Sequence, residues 1–110
     1  MATKSNYLVK INPLVNTQDL PNLPEQLQEE FSVYQLVLAK NPYQPRGVPS
    51  HDLDGRLNGY RTLDINCDGI AYRLVYRIYE SPTPKRVFIV SFEEHDPAYE
   101  KAKERTGRAR

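Results

Sequence analysis

Apolar residues recur along this chain in two rhythms, and the change between them divides the sequence. Tyr7-Leu8-Val9-Lys10-Ile11 alternates as a short strand would, and Asn12-Pro13 stops it. Pro13, Pro21 and Pro24 limit any helix around Thr17 to Leu20 to a short one. From Leu27 the spacing becomes three and four. Leu27, Phe31, Tyr34 and Leu38 form one helical stripe, which Val33 and Val37 widen, while Gln26, Glu29 and Glu30 fall on the wet side. Asn22 is positioned to cap this helix, with Pro24 in its first turn and Glu25 near the positive end of its dipole. Asn41-Pro42 ends it, because a residue preceding proline avoids the helical region. Pro42, Pro45, Pro49 and Gly47 then predict an extended connector over residues 41–50.

Beyond the connector the period drops to two. Tyr60 to Ile65 reads as a strand, and Asn66-Cys67-Asp68-Gly69 has turn chemistry. Ala71 to Tyr79 alternates sharply, with Tyr72, Leu74, Tyr76 and Ile78 on one face and Arg73, Val75, Arg77 and Tyr79 on the other. Ser81-Pro82-Thr83-Pro84 turns the chain into a third strand of the meander, Arg86 to Phe92. Asp96-Pro97 opens a short, highly charged helix through about Arg105. The expected fold class is α+β: a small antiparallel sheet, made of the N-terminal strand and the three-stranded meander, with a helix packed on one face and a short C-terminal helix.

At 110 residues the chain is the size of one domain spanning residues 1–110. Its net charge of +1 excludes a histone-like polycation, but the total averages two unlike halves. Residues 1–55 carry four bases against six acids, and residues 56–110 carry eleven bases against eight acids. Eight Tyr and no Trp suit a half-wet pleated surface that can offer phenols to a ligand. The single Cys67 forms no internal disulfide, and one Cys with two scattered His offers no familiar zinc spacing, so a reducing cytoplasmic setting without metal is expected. No apolar run approaches a membrane span, and Met1-Ala2-Thr3-Lys4-Ser5-Asn6 lacks the apolar stretch of a signal peptide.

Candidate chemistry concentrates in the basic half. Arg73 and Arg77 share one strand face, and strand register decides whether Arg61, which shares a face with Leu63 and Ile65, joins them. Asp64 lies on the face opposite Arg61. His95 and Tyr99 are four apart at a helix start, close enough to touch across the first turn. An imidazole is the usual proton donor or acceptor near neutrality, and a phenol can stack on a base. Tyr99, Arg77 and Lys101 are the candidate substrate-binding residues. Acids beside Cys67 argue against a cysteine nucleophile. His51-Asp52, in the proline-rich connector, reads as a surface pair. No glycine-rich phosphate loop and no G-x-S-x-G are present.

Three strings in order, Leu53-Asp54-Gly55-Arg56-Leu57-Asn58-Gly59-Tyr60-Arg61, Tyr72-Arg73-Leu74-Val75-Tyr76-Arg77-Ile78 and His95-Asp96-Pro97-Ala98-Tyr99, resemble the RelE/ParE superfamily of bacterial toxins. The resemblance covers about half the chain, Leu53 to Arg105, and implies the toxin half of a type II toxin–antitoxin pair with a cognate acidic antitoxin. For RelE-type members it implies an mRNA interferase that works in the ribosomal (30S) A site without cofactor or metal. There the 2′-hydroxyl attacks the adjacent phosphate and leaves a 2′,3′-cyclic phosphate. Carried over, Arg73 is the strand arginine that stabilises the phosphorane, Arg61 a basic position on the preceding strand, His95 the general acid and Tyr99 the aromatic residue against the substrate base. Leu63 stands where some relatives have a second lysine, the carboxylate base of others has no located counterpart, and Glu93-Glu94 precede His95. ParE-like members instead poison DNA gyrase without cutting nucleic acid, and a degenerate member would retain only antitoxin binding.

Overall fold

The computed structural model describes residues 6–109, so the signal-peptide reading of the first residues lies largely outside it. Ten elements follow in order. Strand β1 (Leu8–Ile11) leads through two short helical turns, Val15–Asp19 and Leu20–Asn22, into helix α1 (Glu25–Lys40). Strand β2 (Ser50–Asp52) and a turn at Gly55–Leu57 precede β3 (Arg61–Cys67), β4 (Ile70–Tyr79), β5 (Arg86–Glu94) and helix α2 (His95–Arg105). The five strands form one sheet in the order β1-β5-β4-β3-β2.

The α+β architecture is as expected, with two additions. The sheet is mixed, because β1 runs parallel to β5 while every other pairing is antiparallel. Alternation reports which residues face the core but not the direction of a strand. The connector also yields a strand: Ser50, His51 and Asp52 pair with Leu63, Thr62 and Arg61. Between β3 and β4 the hairpin turns at Asp68 and Gly69, with φ of 51° and 80°, the left-handed pair that a two-residue turn requires.

Leu27, Phe31, Tyr34 and Leu38 are all buried and seat α1 on the sheet against Leu63, Leu74, Tyr76, Ile89 and Phe92. Phe92 is the wedge of this core, 5.7 Å from the Phe31 ring and edge-on to Tyr34 at 6.0 Å. Val33 does not widen the stripe; it is 52% exposed on the outer side of α1. Asn22 does not cap α1 either. The helix begins after Pro24 without a side-chain cap, and the Asn22 amide donates back to the Gln18 carbonyl.

The opposite face of the sheet is covered by α2. Ala98 and Ala102, both fully buried, let the helix lie close to Val75, Val90, Leu57 and Tyr60. A β-bulge makes room: Val75 faces Ser91 and Tyr76 faces Ile89, so Val90 is an extra residue in β5. The Ser91 hydroxyl then donates to the Ala98 carbonyl at 2.7 Å.

Because β1 pairs β5 only from Arg86 to Ile89, the outer edge of β5 beyond Ile89 needs other partners. Side chains supply them. The fully buried Asp19 carboxylate accepts the Phe92 N–H at 2.9 Å, and Arg105 Nη1 donates to the Val90 carbonyl at 2.9 Å. Arg105 also clasps Asp19 with both terminal nitrogens at 2.8 Å.

A second tie joins β1, the connector and the end of β4. Tyr7 and Tyr43 each donate a phenolic hydrogen bond to Glu80 Oε2 at 2.5 Å. Burial and then the Glu80 hydrogen bond raise the Tyr7 pKa above its ordinary value, and the same carboxylate raises that of Tyr43. In return the two phenols, Tyr43 first, draw the Glu80 carboxyl below its ordinary 4.5.

Candidate functional site

Register sorts the expected site residues between the two faces. Asp64 faces Arg73, and Arg73 faces Glu93, so one row of charge crosses β3, β4 and β5 on the α2 side. Arg61 faces Tyr76 and therefore projects to the α1 side, away from Arg73. There it holds the connector in place. Its Nη1 donates to Asp52 at 2.7 Å, its Nη2 to the Tyr43 carbonyl and the Ser50 hydroxyl at 2.8 Å, and its Nε approaches the Tyr76 hydroxyl at 3.4 Å. Burial disfavours the Arg61 charge, but the hydrogen bonds to Tyr76 and Asp52 outweigh it and raise its pKa.

Arg73 is the centre of the α2-side row. Its Nη1 donates to the Tyr72 carbonyl at 2.9 Å, and its Nε lies 3.1 Å from Asp64 Oδ1. That contact is off the hydrogen-bonding direction, so among the described residues both buried atoms lack a hydrogen-bond partner. Asp64 Oδ2 is 3.1 Å from His51 Nδ1. His51 therefore pairs across β2 and β3 with Asp64, not with its sequence neighbour Asp52, whose partner is Arg61. Sequence spacing hides this contact, because it exists only once residues 50–52 form a strand.

At the other end of the row, Lys101 bridges Glu93 and Asp19, with 3.3 Å to the latter. The hydrogen bond that Lys101 donates to Glu93 raises the pKa of Lys101 and outweighs the cost of its burial. Glu93 is thus not a bare acid beside the site. His95 is the first residue of α2, directly after β5, and shares a shallow groove with Ile70, Ala71, Glu94, Asp96 and Pro97. Its Nδ1 is 2.7 Å from Asp96 Oδ1, and its ring meets Tyr99 edge-on at 4.8 Å. Tyr99 in turn packs against the apolar cluster under α2.

Arg77 shares the face of Arg73 but lies at its far end, its guanidinium 5.2 Å from the Tyr60 and Tyr79 rings. Arg86 stacks on Tyr79 and Arg108 on Tyr60. Among the described residues no ion pair involves Arg77, Arg86 or Arg108, whereas Arg73, Lys101 and Arg105 are each matched by an acid. The free positive charge of this face therefore lies on a tyrosine-backed patch beside the row, not in the row itself. Cys67 is buried, and burial followed by the Asp68 charge raises its pKa, which makes it a poor nucleophile. Among the described residues no helix is long and apolar enough to cross a membrane.

A mixed five-stranded sheet with α1 on one side and a short α2 crossing the other is a fold that the chain shares with solved toxin structures. Among solved structures, the chain is similar to the toxin–antitoxin complex RelBE2 from Mycobacterium tuberculosis, at 24% identity and TM-score 0.60 over 86% of this chain and 98% of that one. It is similar as well to the YoeB/ParE toxin from Agrobacterium tumefaciens (16% identity, TM-score 0.61, 80% of this chain and 98% of that one). A free-state mutant of Escherichia coli toxin RelE aligns at 17% identity and TM-score 0.62 over 94% of this chain and 97% of that one. No protein-family model matches the chain, and no curated protein matches it.

Proposed function

We propose that the 110 residues act as one domain, the toxin of a toxin–antitoxin pair, and that the toxin is a cytoplasmic, ribosome-dependent endoribonuclease cutting mRNA by 2′-hydroxyl attack. The observation that carries the reading is Arg73: a mostly buried guanidinium on a sheet face, opposite Glu93 on β5, the strand that leads directly into α2 at His95. The reaction needs three things of the protein. One group removes the 2′-hydroxyl proton, a cation stabilises the charge gathering on phosphorus, and an acid protonates the departing 5′-oxygen. Arg73 supplies the cation, and His95, its Nδ1 against Asp96, supplies the acid. The 2′-O–P bond forms as the P–O5′ bond breaks, leaving a 2′,3′-cyclic phosphate and a 5′-hydroxyl. No metal or cofactor enters the scheme.

Tyr99, already edge-on to His95, offers its ring to the base beside the scissile phosphate. The patch of Arg77, Arg86 and Arg108 holds flanking phosphates, since those cations are not spent on acids. Lys101 acts through Glu93, keeping that carboxylate from repelling RNA. The partner in the cell is an acidic antitoxin, as the toxin–antitoxin complex among the similar structures suggests.

Induction of the chain in bacteria, with mapping of mRNA 5′ ends, tests the reading. Wild type is expected to arrest growth and produce new cuts, and Arg73→Ala and His95→Ala are expected to abolish them. Arrest with an SOS response and intact mRNA would establish the gyrase-poisoning alternative instead. No arrest, with retained antitoxin binding, would make the chain a degenerate homologue.

A further inference from the structure

We propose that the outer face of α1 is a surface on which two copies of this chain pair, helix against antiparallel helix, about a two-fold axis. The inference is independent of the nuclease reading, because α1 packs on the sheet face opposite the one that α2 covers. Leu27, Phe31, Tyr34 and Leu38 turn one side of α1 to the core. On the opposite side Glu29, Val33, Leu36 and Lys40 follow at steps of four, three and four, which keeps them within about 60° of arc. That is the spacing of a helix–helix seam. Val33 is 52% exposed and Leu36 63%, the two most exposed large apolar side chains among the described residues. Apolar residues scattered singly over a surface are ordinary, whereas these two adjoin on one helix turn with an exposed charge at each end of their row.

The charges select the partner. Glu29 stands toward the amino end of the helix and Lys40 at its carboxyl end, about 16 Å apart along the axis and too far to meet each other. Among the described residues neither joins an ion pair. In an antiparallel pair with two-fold symmetry, positions equally distant from the midpoint of the row face one another. The midpoint falls between Tyr34 and Gln35. Val33 then meets Leu36 of the second copy and Glu29 meets its Lys40, each contact being made twice. A parallel pairing would set Glu29 against Glu29 and Lys40 against Lys40. Beyond the row, Val37, Lys40 and Arg46 line a groove at the carboxyl end of α1, and the antiparallel register brings Glu25 of the second copy toward it. A different protein would have to supply this reversed order of charge, which a second copy already has. The helix is 16 residues and about 24 Å long. One such helix pair buries less than the roughly 1,200–2,000 Å² of a stable interface, so the dimer is expected to be weak and reversible.

Sedimentation equilibrium of the purified chain over a concentration series tests the pairing. Wild type is expected to pass from monomer to dimer, with a dissociation constant that rises with salt. Leu36→Glu, which sets a carboxylate in the apolar centre, is expected to raise that constant by about 100-fold or more. Glu29→Lys and Lys40→Glu are each expected to raise it about tenfold, since each creates like-charge contacts. An equimolar mixture of the two charge variants is expected to pair as well as wild type, because the new lysine meets the new glutamate and the native Lys40 meets the native Glu29. All three positions are exposed, so an unchanged circular dichroism spectrum is expected for every variant and checks that it is folded. Wild type that stays monomeric at about 1 mM would overturn the proposal. A dimer that Leu36→Glu leaves intact, or charge variants that pair no better mixed than alone, would overturn it equally.

Discussion

Removal of the Asp19 carboxylate tests how β5 is closed. The side chain is fully buried and receives four donors: the Phe92 N–H at 2.9 Å, both Arg105 terminal nitrogens at 2.8 Å and Lys101 at 3.3 Å. Asp19→Ala leaves the Phe92 N–H without its partner on a strand edge that β1 does not reach. An orphaned buried donor costs about 1–3 kcal/mol. It also strands the Arg105 guanidinium, whose side chain is only 5% exposed, and breaking a buried ion pair from one side costs about 3–5 kcal/mol. The two losses overlap, because Arg105 keeps the Val90 carbonyl and Lys101 keeps Glu93. The expected total is therefore about 3–5 kcal/mol rather than their sum. Urea unfolding measures it as a fall in midpoint at constant slope. Asp19→Asn, which keeps an acceptor for Phe92 but loses the charge, is expected to fall between wild type and alanine. A loss below about 1 kcal/mol for Asp19→Ala would refute the idea that this carboxylate substitutes for a missing strand.

Two further outcomes follow from the ties at the other end of the sheet. Glu80 has its pKa lowered in the folded chain, so its contribution is complete above the unfolded value of about 4.5 and disappears as pH falls through the lower folded one. Glu80→Gln is expected to lower stability at neutral pH and to remove that part of the acid-side decline, read as urea midpoints at pH 7 and about pH 3. Arg61→Met, on the α1 side, is expected to cost about 1–3 kcal/mol by releasing Asp52, Ser50 and the Tyr43 carbonyl, because it loses several hydrogen bonds to a charged donor. Its effect on mRNA cleavage is expected to track this stability loss alone, and a cleavage defect in fully folded Arg61→Met would contradict the separation of the faces.

Periodicity made most of the fold legible. The α1 stripe and the alternation of β4 each name residues that pack together, and all four stripe residues are buried. What periodicity leaves out is pairing. Ser50-His51-Asp52 has no apolar member to mark it as a strand, and it becomes one because β3 offers an edge. Arg61 and Arg73 could share a face or not until Leu63 is set opposite Leu74, a matter of register. The sequence pairs His51 with Asp52 for the same reason: neighbours along the chain are visible, neighbours across a ladder are not. Asp19 lies in a proline-rich stretch, where nothing local shows that a carboxylate will be enclosed by residues from the other end of the chain. The site residues on β4 and α2 were easier, since a helix turn and a strand face are local patterns.

The clasp of Asp19 by Arg105 has a bearing on how the protein is made. The two residues are 86 positions apart, and β5, the partner of β1, also comes late in the chain. While the polypeptide is being synthesised, β1 and α1 emerge well before the strand they must join. Their apolar faces are only partly covered until residues 86–105 arrive, because a pairing this distant in sequence forms after the long loop between its partners closes. His95, Tyr99 and Lys101 belong to that same late segment. The α2-side face of the sheet therefore comes into being at the end of synthesis, and a nascent chain stalled before Arg86 has neither β5 nor α2.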